Sequence, residues 1–261
     1  MIKGKKKTVN ETFDYLAWLV INFFVLGSDV TMYKRDIRKA FRFCPVAVDD
    51  LDVSWCVWMY QGGIWAAQQF GTHFGAIGSV WAFHRVGCFM ASVARRGPKC
   101  CVVRYVDDFF GCDPKGIKTG AGFVIDMLSA AIGIMTDGAK SASEQCAMTV
   151  LGIYAELQFR QRRMTVRVDE AKAKRWAASC LEVIETAVCD PGKASKCAGR
   201  FSSVVTAAFD NTGRAYVRPF YAQQFSPACP VTEWLLVACS WWLRYLQERP
   251  RAILDIHWWQ R

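Results

Sequence analysis

The sequence is poor in the residue arrangements that hold structural metal ions. It contains three histidines, His73, His84 and His257, and its twelve cysteines include no Cys-x-x-Cys pair. Because a structural zinc site usually draws on closely spaced pairs of such ligands, we expect no structural zinc. The cysteines are spread through apolar segments, which favours buried, reduced thiols in an intracellular protein.

The sequence also lacks an apolar run long enough to cross a bilayer. The best candidate, Tyr15–Gly27, has about thirteen residues, whereas a transmembrane helix needs ~20. Asn22 interrupts the run and no small-residue cleavage site follows it, so a signal peptide fits poorly. Its apolar residues follow helical spacing, which predicts a buried amphipathic helix and no membrane partner. A membrane-surface protein anchored through residues 1–27 is the alternative, and liposome flotation would detect it.

The composition excludes a disordered chain and indicates a basic one. Hydrophobic residues make up 52% and charged residues 21% of the 261 positions, which is the composition of a folded protein. Lys and Arg number 33 against 23 Asp and Glu, giving a formal net charge of +10. This excess favours polyanionic partners such as nucleic acid, although a basic globular protein without such a partner remains open.

The hydrophobic pattern changes near residues 165–170. Before this point, strand-like and helix-like runs are mixed; after Asp169 the strand signals vanish, and we expect an α+β domain followed by an all-helical one. The expected strands are Val53–Tyr60, Ile64–Phe70, Val102–Tyr105, Phe109–Gly111, Val150–Phe159 and Met164–Val168. The expected helices are Gly75–Arg96, Ala121–Ile132 and the runs at 169–187, 194–208, 212–222 and 231–247.

Two adjacent carboxylates, Asp107 and Asp108, lie between very apolar strands. Burying unpaired charge is costly, so a tight turn that brings both to the rim of a sheet is expected. A solvated Asp-Asp turn is the alternative. Asp36 is the candidate for a third carboxylate, with a helix N-cap or a surface ion pair as its alternative role. The cluster at 49–52 lacks the apolar frame and is interpreted as a solvated turn.

Four segments resemble, in order and spacing, the palm motifs of reverse transcriptases, and most closely those of retroelements. They are Asp36–Phe41 (DIRKAF), His73–Ser79 (HFGAIGS), Tyr105–Asp108 (YVDD) and Leu151–Ile153 (LGI). Two later segments, Cys197–Phe201 and Arg214–Phe220, resemble helical segments that follow the palm in such elements. The resemblance spans about residues 30–225.

This resemblance implies a domain order. The fold class is α+β, with a polymerase palm, an antiparallel sheet backed by helices, followed by an all-helical thumb or connection region. Residues 1–30 would be an N-terminal helix left from the fingers, 31–168 the palm, and 169–261 the helical region.

The resemblance also implies the catalytic residues and their cofactor. Asp36, Asp107 and Asp108 correspond to the family's metal-binding triad, which holds two Mg²⁺ ions about 3.5–4 Å apart, with Mn²⁺ as a substitute. The family's remaining nucleotide-binding positions correspond to Phe41, Phe74, Gly75 and Lys140. Its primer grip corresponds to Leu151, Gly152, Ile153 and Tyr154. Core packing is the alternative for Phe41, and a solvated surface position is the alternative for Lys140.

The function implied is that of an RNA-directed DNA polymerase, which adds deoxynucleotides from their triphosphates to a primer on an RNA or DNA template. Three features depart from the family pattern: only 35 residues precede Asp36, His73 stands where proline is usual, and no nuclease domain follows. They suggest a truncated, weakly active enzyme. The alternative is a non-catalytic, basic nucleic-acid-binding relic of a retroelement.

Overall fold

A computed structural model describes residues 11–73, 76–117, 119–207, 213–226 and 231–257. Its internal contacts divide the chain into two compact units. The first unit comprises Met1–Leu19 and Ser28–Gln145, and the second comprises Val20–Gly27 and Cys146–Arg261.

The helices of the described residues are α1 (Phe13–Val25), α2 (Ile77–Arg96), α3 (Ala121–Ala131), α4 (Glu170–Thr186), α5 (Pro191–Ala207), α6 (Arg218–Gln223) and α7 (Glu233–Glu248). The strands are β1 (Val30–Asp36), β2 (Trp55–Tyr60), β3 (Gly63–Gln68), β4 (Val102–Tyr105), β5 (Asp108–Pro114), β6 (Ala142–Gln145), β7 (Ala147–Val150), β8 (Ile153–Gln158), β9 (Arg163–Val168) and β10 (Ala252–Leu254). Short 3-10 turns cover Ala40–Phe43, Val48–Val53, Phe159–Gln161 and Arg214–Val217.

The first unit is built on an antiparallel sheet in the order β4-β5-β1-β6. Its core joins Tyr33 and Phe109 of the sheet to Phe83 of α2 and Ile125 of α3, so the two helices pack against the sheet. The start of α3 is tied to β5, because the Asp113 carboxylate accepts hydrogen bonds from the Ala121 amide at 2.9 and 3.0 Å. The predicted α+β class with an antiparallel sheet backed by helices is confirmed.

The strands β2 and β3, both predicted as strands, form a separate two-stranded sheet in the first unit. The turn between them consists of Gln61 and Gly62. Both turn residues have positive φ, 50° and 74°, which matches the right-handed twist of a hairpin.

The second unit combines an antiparallel sheet, in the order β10-β9-β8-β7, with the helices α4 to α7. The Phe201 and Trp242 rings stack at 4.3 Å between centroids in the helical core. The expectation that no strand follows Asp169 is wrong, because β10 pairs with β9. Its three residues carry too short a pattern to signal a strand, and the pairing partner is distant in sequence.

The predicted strand Val150–Phe159 is also corrected in part. Leu151 and Gly152 have positive φ, 51° and 87°, and form a turn that separates β7 from β8. The run is therefore a hairpin corner followed by a strand. The predicted domain limits at residues 30 and 168 do not coincide with the two contact-based units, which separate Gln145 from Cys146, and they stay a prediction.

The first helix has the predicted amphipathic character. Phe13, Leu16, Ala17 and Val20 are buried on one face of α1, whereas Trp18 is exposed. Across the described ranges, no helix combines the length and hydropathy required of a membrane span. The cysteines of these ranges are free thiols, many of them buried.

Candidate active site

Asp36 and Asp108 end two neighbouring strands and lie directly opposite each other. In the antiparallel pairing of β1 with β5, these two residues are register partners. Opposed residues of an antiparallel pair share one face of the sheet, with Cβ atoms about 4.5–5.5 Å apart. The next residue back along the chain, Asp107, belongs to the turn that joins β4 to β5. The three carboxylates predicted from sequence thus meet at one end of the sheet.

The turn that carries Asp107 is held from two sides. It has two residues, Val106 and Asp107, and Val106 has a positive φ of 53°. This left-handed conformation costs a branched side chain on the order of 1–3 kcal/mol, so it persists only where the surroundings fix it. Here Arg104 Nη1 donates to the Val106 carbonyl at 2.9 Å, and the Ile37 amide donates to the Asp107 carbonyl at 3.2 Å.

Arg104 is itself buried against α2 and was not predicted as a site residue. Its Nη2 donates to His84 Nδ1 at 2.8 Å, which leaves the neutral imidazole protonated at Nε2. Burial, and secondly the Arg104 charge, lower the pKa of His84. A Cβ placed on Gly87 would lie 2.9 Å from Arg104 Cδ, so glycine makes room for the arginine. In the sequence, the close approach of Arg104 to α2 is indicated only by an isolated glycine, Gly87, within a helical pattern.

Lys140 reaches Asp36 because the chain after α3 runs beside the end of β1. The Arg38 amide donates to the Met135 carbonyl at 2.9 Å, and the Asp137 amide donates to the Asp36 carbonyl at 2.8 Å. Lys140 Nζ then lies 3.3 Å from Asp36 Oδ1. The Asp36 carboxylate is the largest cause that raises the pKa of Lys140.

A second ammonium group enters the site from β1, and sequence analysis missed it. Lys34 Nζ lies 3.1 Å from Asp108 Oδ1. This oxygen is buried and accepts no hydrogen bond of acceptable geometry within the described part of the chain. Lys34 precedes Asp36 by two residues, and strand alternation places such residues on the same face. That alternation was the signal that could have identified it.

The environment of Asp107 opposes the charge of its carboxylate. Burial raises the pKa of Asp107 most, and the Asp108 and Asp36 carboxylates raise it further, against its own backbone hydrogen bond and Lys140, which lower it. Three mutually repelling carboxylates with hard oxygen donors suit a divalent cation such as Mg²⁺. The buried, unsatisfied oxygen of Asp108 fits such a cation as well. As arranged, however, no three Asp, Glu, His or Cys side chains of the described residues form a metal-binding group.

Phe41 lies in the 3-10 turn that follows β1 and packs partly on the core. Its ring meets that of Phe83 edge-on at 6.2 Å between centroids, and its carbonyl accepts a hydrogen bond from Thr72 Oγ1 at 2.6 Å. Phe41 is half-buried, so it packs against the core while part of it remains exposed. Its role at the nucleotide stays a prediction. Phe74 and Gly75 fall outside the described residues.

His73, the residue that replaces the family's proline, has a defined partner. Ser54 Oγ donates to the Gln69 carbonyl at 3.0 Å and therefore accepts from His73 Nε2 at 2.9 Å. The imidazole thus ties the segment before α2 to the start of the β2–β3 hairpin.

The segment predicted as a primer grip is a tight hairpin in the second unit. Val150 pairs with Ile153 across the turn formed by Leu151 and Gly152, whose positive φ angles match a two-residue hairpin of type I′. Tyr154 follows in β8, and the Arg167 guanidinium lies 4.9 Å from the centre of its ring. The contact of this hairpin with a primer stays a prediction.

Comparison with known proteins gives a similarity of fold. No known protein-family model matches the chain, and no curated protein matches it in sequence. Among solved structures, it is similar to the foamy viral protease-reverse transcriptase in complex with RNA/DNA hybrid, with a TM-score of 0.51 and 11% identity. It is also similar to the dRH form of that protein in complex with double-stranded DNA, with a TM-score of 0.53 and 12% identity.

The matched regions cover most of this chain and a minority of those proteins. The first comparison spans 84% of this chain and 27% of the viral chain, and the second spans 96% and 39%. At this level of identity the similarity concerns the fold, which is reverse-transcriptase-like.

Proposed function

We propose that the chain is an RNA-directed DNA polymerase of retroelement type, and that the sheet carrying Asp36 is its palm. The observation that supports this most is the register of Asp36 opposite Asp108, with Asp107 in the adjoining turn. A reverse-transcriptase-like fold that presents three carboxylates at one end of a sheet has the donor set that nucleotidyl transfer requires.

Asp36, Asp107 and Asp108 would hold the Mg²⁺ ions, or Mn²⁺ in their place. When bound, the ions would make the primer 3′-hydroxyl more acidic and neutralise triphosphate charge. The protein fixes the carboxylates through the β1–β5 pairing and the Arg104-supported turn. These contacts lie within the protein itself, so they would hold the carboxylates in place without help from the substrate.

The neighbouring side chains would bind the incoming deoxynucleoside triphosphate. Phe41 would exclude a ribose 2′-hydroxyl, and the segment with Phe74 and Gly75 would approach the base. Lys140, whose Nζ lies 3.3 Å from Asp36 Oδ1, would protonate the leaving pyrophosphate. The hairpin with Leu151, Gly152, Ile153 and Tyr154 would grip the primer end.

The nucleic-acid partner is proposed on charge and on the fold neighbours. The viral proteins of similar fold were solved with an RNA/DNA hybrid and with double-stranded DNA. A net charge of +10 would attract the phosphates of a primer and its template.

A second candidate function, a non-catalytic nucleic-acid-binding relic, is favoured by one observation. Asp36 and Asp108 are paired with Lys140 and Lys34, and no ready-formed metal-binding group exists among the described residues. Such a protein would bind a primer–template and add nothing to it.

Primer extension with parallel binding separates the two functions. We expect the chain to extend a labelled DNA primer in Mg²⁺ or Mn²⁺, and Asp107→Asn to abolish extension while the primer–template still binds. Asp49→Asn is the matched control, because Asp49 is an exposed aspartate of the 3-10 turn at Val48–Val53. Binding by every variant with extension by none would support the relic.

A further inference from the structure

Lys34 and Asp36 lie two residues apart on β1, so both face the same side of the sheet as Asp108. Asp108 is the register partner of Asp36 and the ion-pair partner of Lys34, at 3.1 Å from its Nζ. The Asp108 carboxylate is therefore paired with the Lys34 ammonium at the place where it would bind a metal ion.

The two lysines of the site differ in how firmly they are placed. The Lys34 side chain is 21% exposed and its partner Asp108 19%, whereas the Lys140 side chain is 62% exposed. A solvated ammonium pairs weakly and exchanges easily with ions of the solvent, and a half-buried pair is screened much less. Lys34 is thus the stronger counter-ion of the two.

The Lys34 contact neutralises Asp108 without satisfying it. The Oδ1 atom that faces the ammonium is buried and has no hydrogen bond of acceptable geometry within the described ranges. A buried carboxylate oxygen in that state has its charge balanced but still lacks an aligned donor or ligand. A divalent cation bound directly to this oxygen would be such a partner and would supply twice the charge.

We propose that Lys34 is an internal competitor for the divalent cation at Asp108. This inference rests on the proposed function, since it concerns the same three carboxylates. Asp36, Asp107 and Asp108 would hold the cation together, and Asp108 would be able to do so only once the Lys34 ammonium has left the site. Lys34 therefore sets the concentration of metal at which the site fills.

Metal binding to the 261-residue chain, without nucleic acid, tests this directly. The probe is Mn²⁺, with free ion followed by electron paramagnetic resonance. We expect Lys34→Met to bind Mn²⁺ at least ~10-fold more tightly than the unmodified chain, which corresponds to about 1.4 kcal/mol. Lys34→Gln, which keeps a polar group, should also bind more tightly, and it serves if the methionine variant does not fold.

Two controls separate Lys34 from general charge effects. Lys174→Met removes an equivalent ammonium from α4, where Lys174 pairs with Glu170, and its Mn²⁺ affinity should match that of the unmodified chain. Adding Asp108→Asn to Lys34→Met should remove the gain in affinity. Melting in Mn²⁺ provides a second readout, because Lys34→Met should gain more thermal stability from the ion than the unmodified chain does.

The failures are distinguishable. Equal Mn²⁺ affinity in the unmodified chain and in Lys34→Met, with binding lost in Asp36→Asn, would overturn the role of Lys34 and leave the metal site intact. A gain that persists after Asp108→Asn would also overturn it, because the gain would then come from net charge. If none of the folded variants bound Mn²⁺, the metal site and the proposed catalytic function would fail together.

Discussion

Arg104 donates a hydrogen bond to the main-chain oxygen of Val106 at 2.9 Å, and this contact supports the turn that carries Asp107. Val106 holds a left-handed conformation there, so the turn depends on its surroundings. The geometry of the candidate active site is therefore coupled to an arginine buried behind it.

Replacing Arg104 by leucine should loosen this turn. The change leaves the Val106 carbonyl and His84 Nδ1 without their donor, and we expect the free energy of unfolding to fall by about 1–3 kcal/mol. Urea denaturation followed by circular dichroism would measure it. Arg85→Leu is the control, because Arg85 is exposed on α2, next to His84, and should change stability by less than about 0.5 kcal/mol. Equal effects of the two substitutions would contradict the role given to Arg104.

Two glycines of α2 should respond in opposite directions to alanine. A Cβ at Gly87 would lie 2.9 Å from Arg104 Cδ, whereas a Cβ at Gly78 meets nothing within 4 Å. Gly78→Ala should stabilise the helix by about 0.5–1 kcal/mol, because alanine has the better helix propensity. Gly87→Ala should destabilise by about 1–3 kcal/mol through overpacking. The thermal midpoints of the two variants provide the comparison. A higher midpoint in both variants would show that the Arg104 side chain moves aside without a cost in stability.

The lowered pKa of His84 predicts a pH dependence of stability. The folded state takes up a proton on this imidazole less readily than the unfolded state, so the contribution of His84 is complete above its ordinary pKa of 6.5. This contribution to stability is lost as the pH falls below 6.5 and then through the lower pKa that His84 has in the folded state. Between about pH 7 and pH 5, the unmodified chain should therefore lose more stability than His84→Gln. Parallel curves of unfolding free energy against pH would exclude this contribution.

Sugar selection tests the role proposed for Phe41. Its ring packs edge-on against Phe83, and the residue is half-buried. If the ring meets the incoming sugar, Phe41→Ala should raise incorporation of ribonucleotides relative to deoxynucleotides by removing a steric clash. The ratio of the two rates in single-nucleotide extension is the readout. An unchanged ratio in folded protein would assign Phe41 to core packing.

Sequence patterns predicted those features whose causes are local. The apolar runs on both sides of Asp107 and Asp108 predicted the β4–β5 hairpin. Helical periodicity predicted the start of α2 to within two residues. The position of β10 was missed because it depends on pairing with β9, a strand far away in the sequence. The turn at Leu151 was missed because leucine rarely adopts the positive φ that this turn requires.

The supporting contacts of the site could not be predicted in the same way. The ion pair of Lys34 with Asp108 follows from the register of two strands that are more than seventy residues apart. The contact of Arg104 with His84 depends on how α2 packs on the sheet. Such tertiary relationships leave no periodic signal, although the glycine at position 87 marks the place of one of them.

Template-directed extension is the most direct test of the central claim that this chain is a polymerase. On a poly(rA) template with an oligo(dT) primer, the account predicts that the chain adds dTTP and not dGTP, in the presence of Mg²⁺ or Mn²⁺, and that Asp107→Asn adds neither. Slow, poorly processive addition satisfies the prediction. Binding of this primer–template that weakens as salt rises, without addition of any nucleotide under either metal, would contradict it and identify the chain as a nucleic-acid-binding relic.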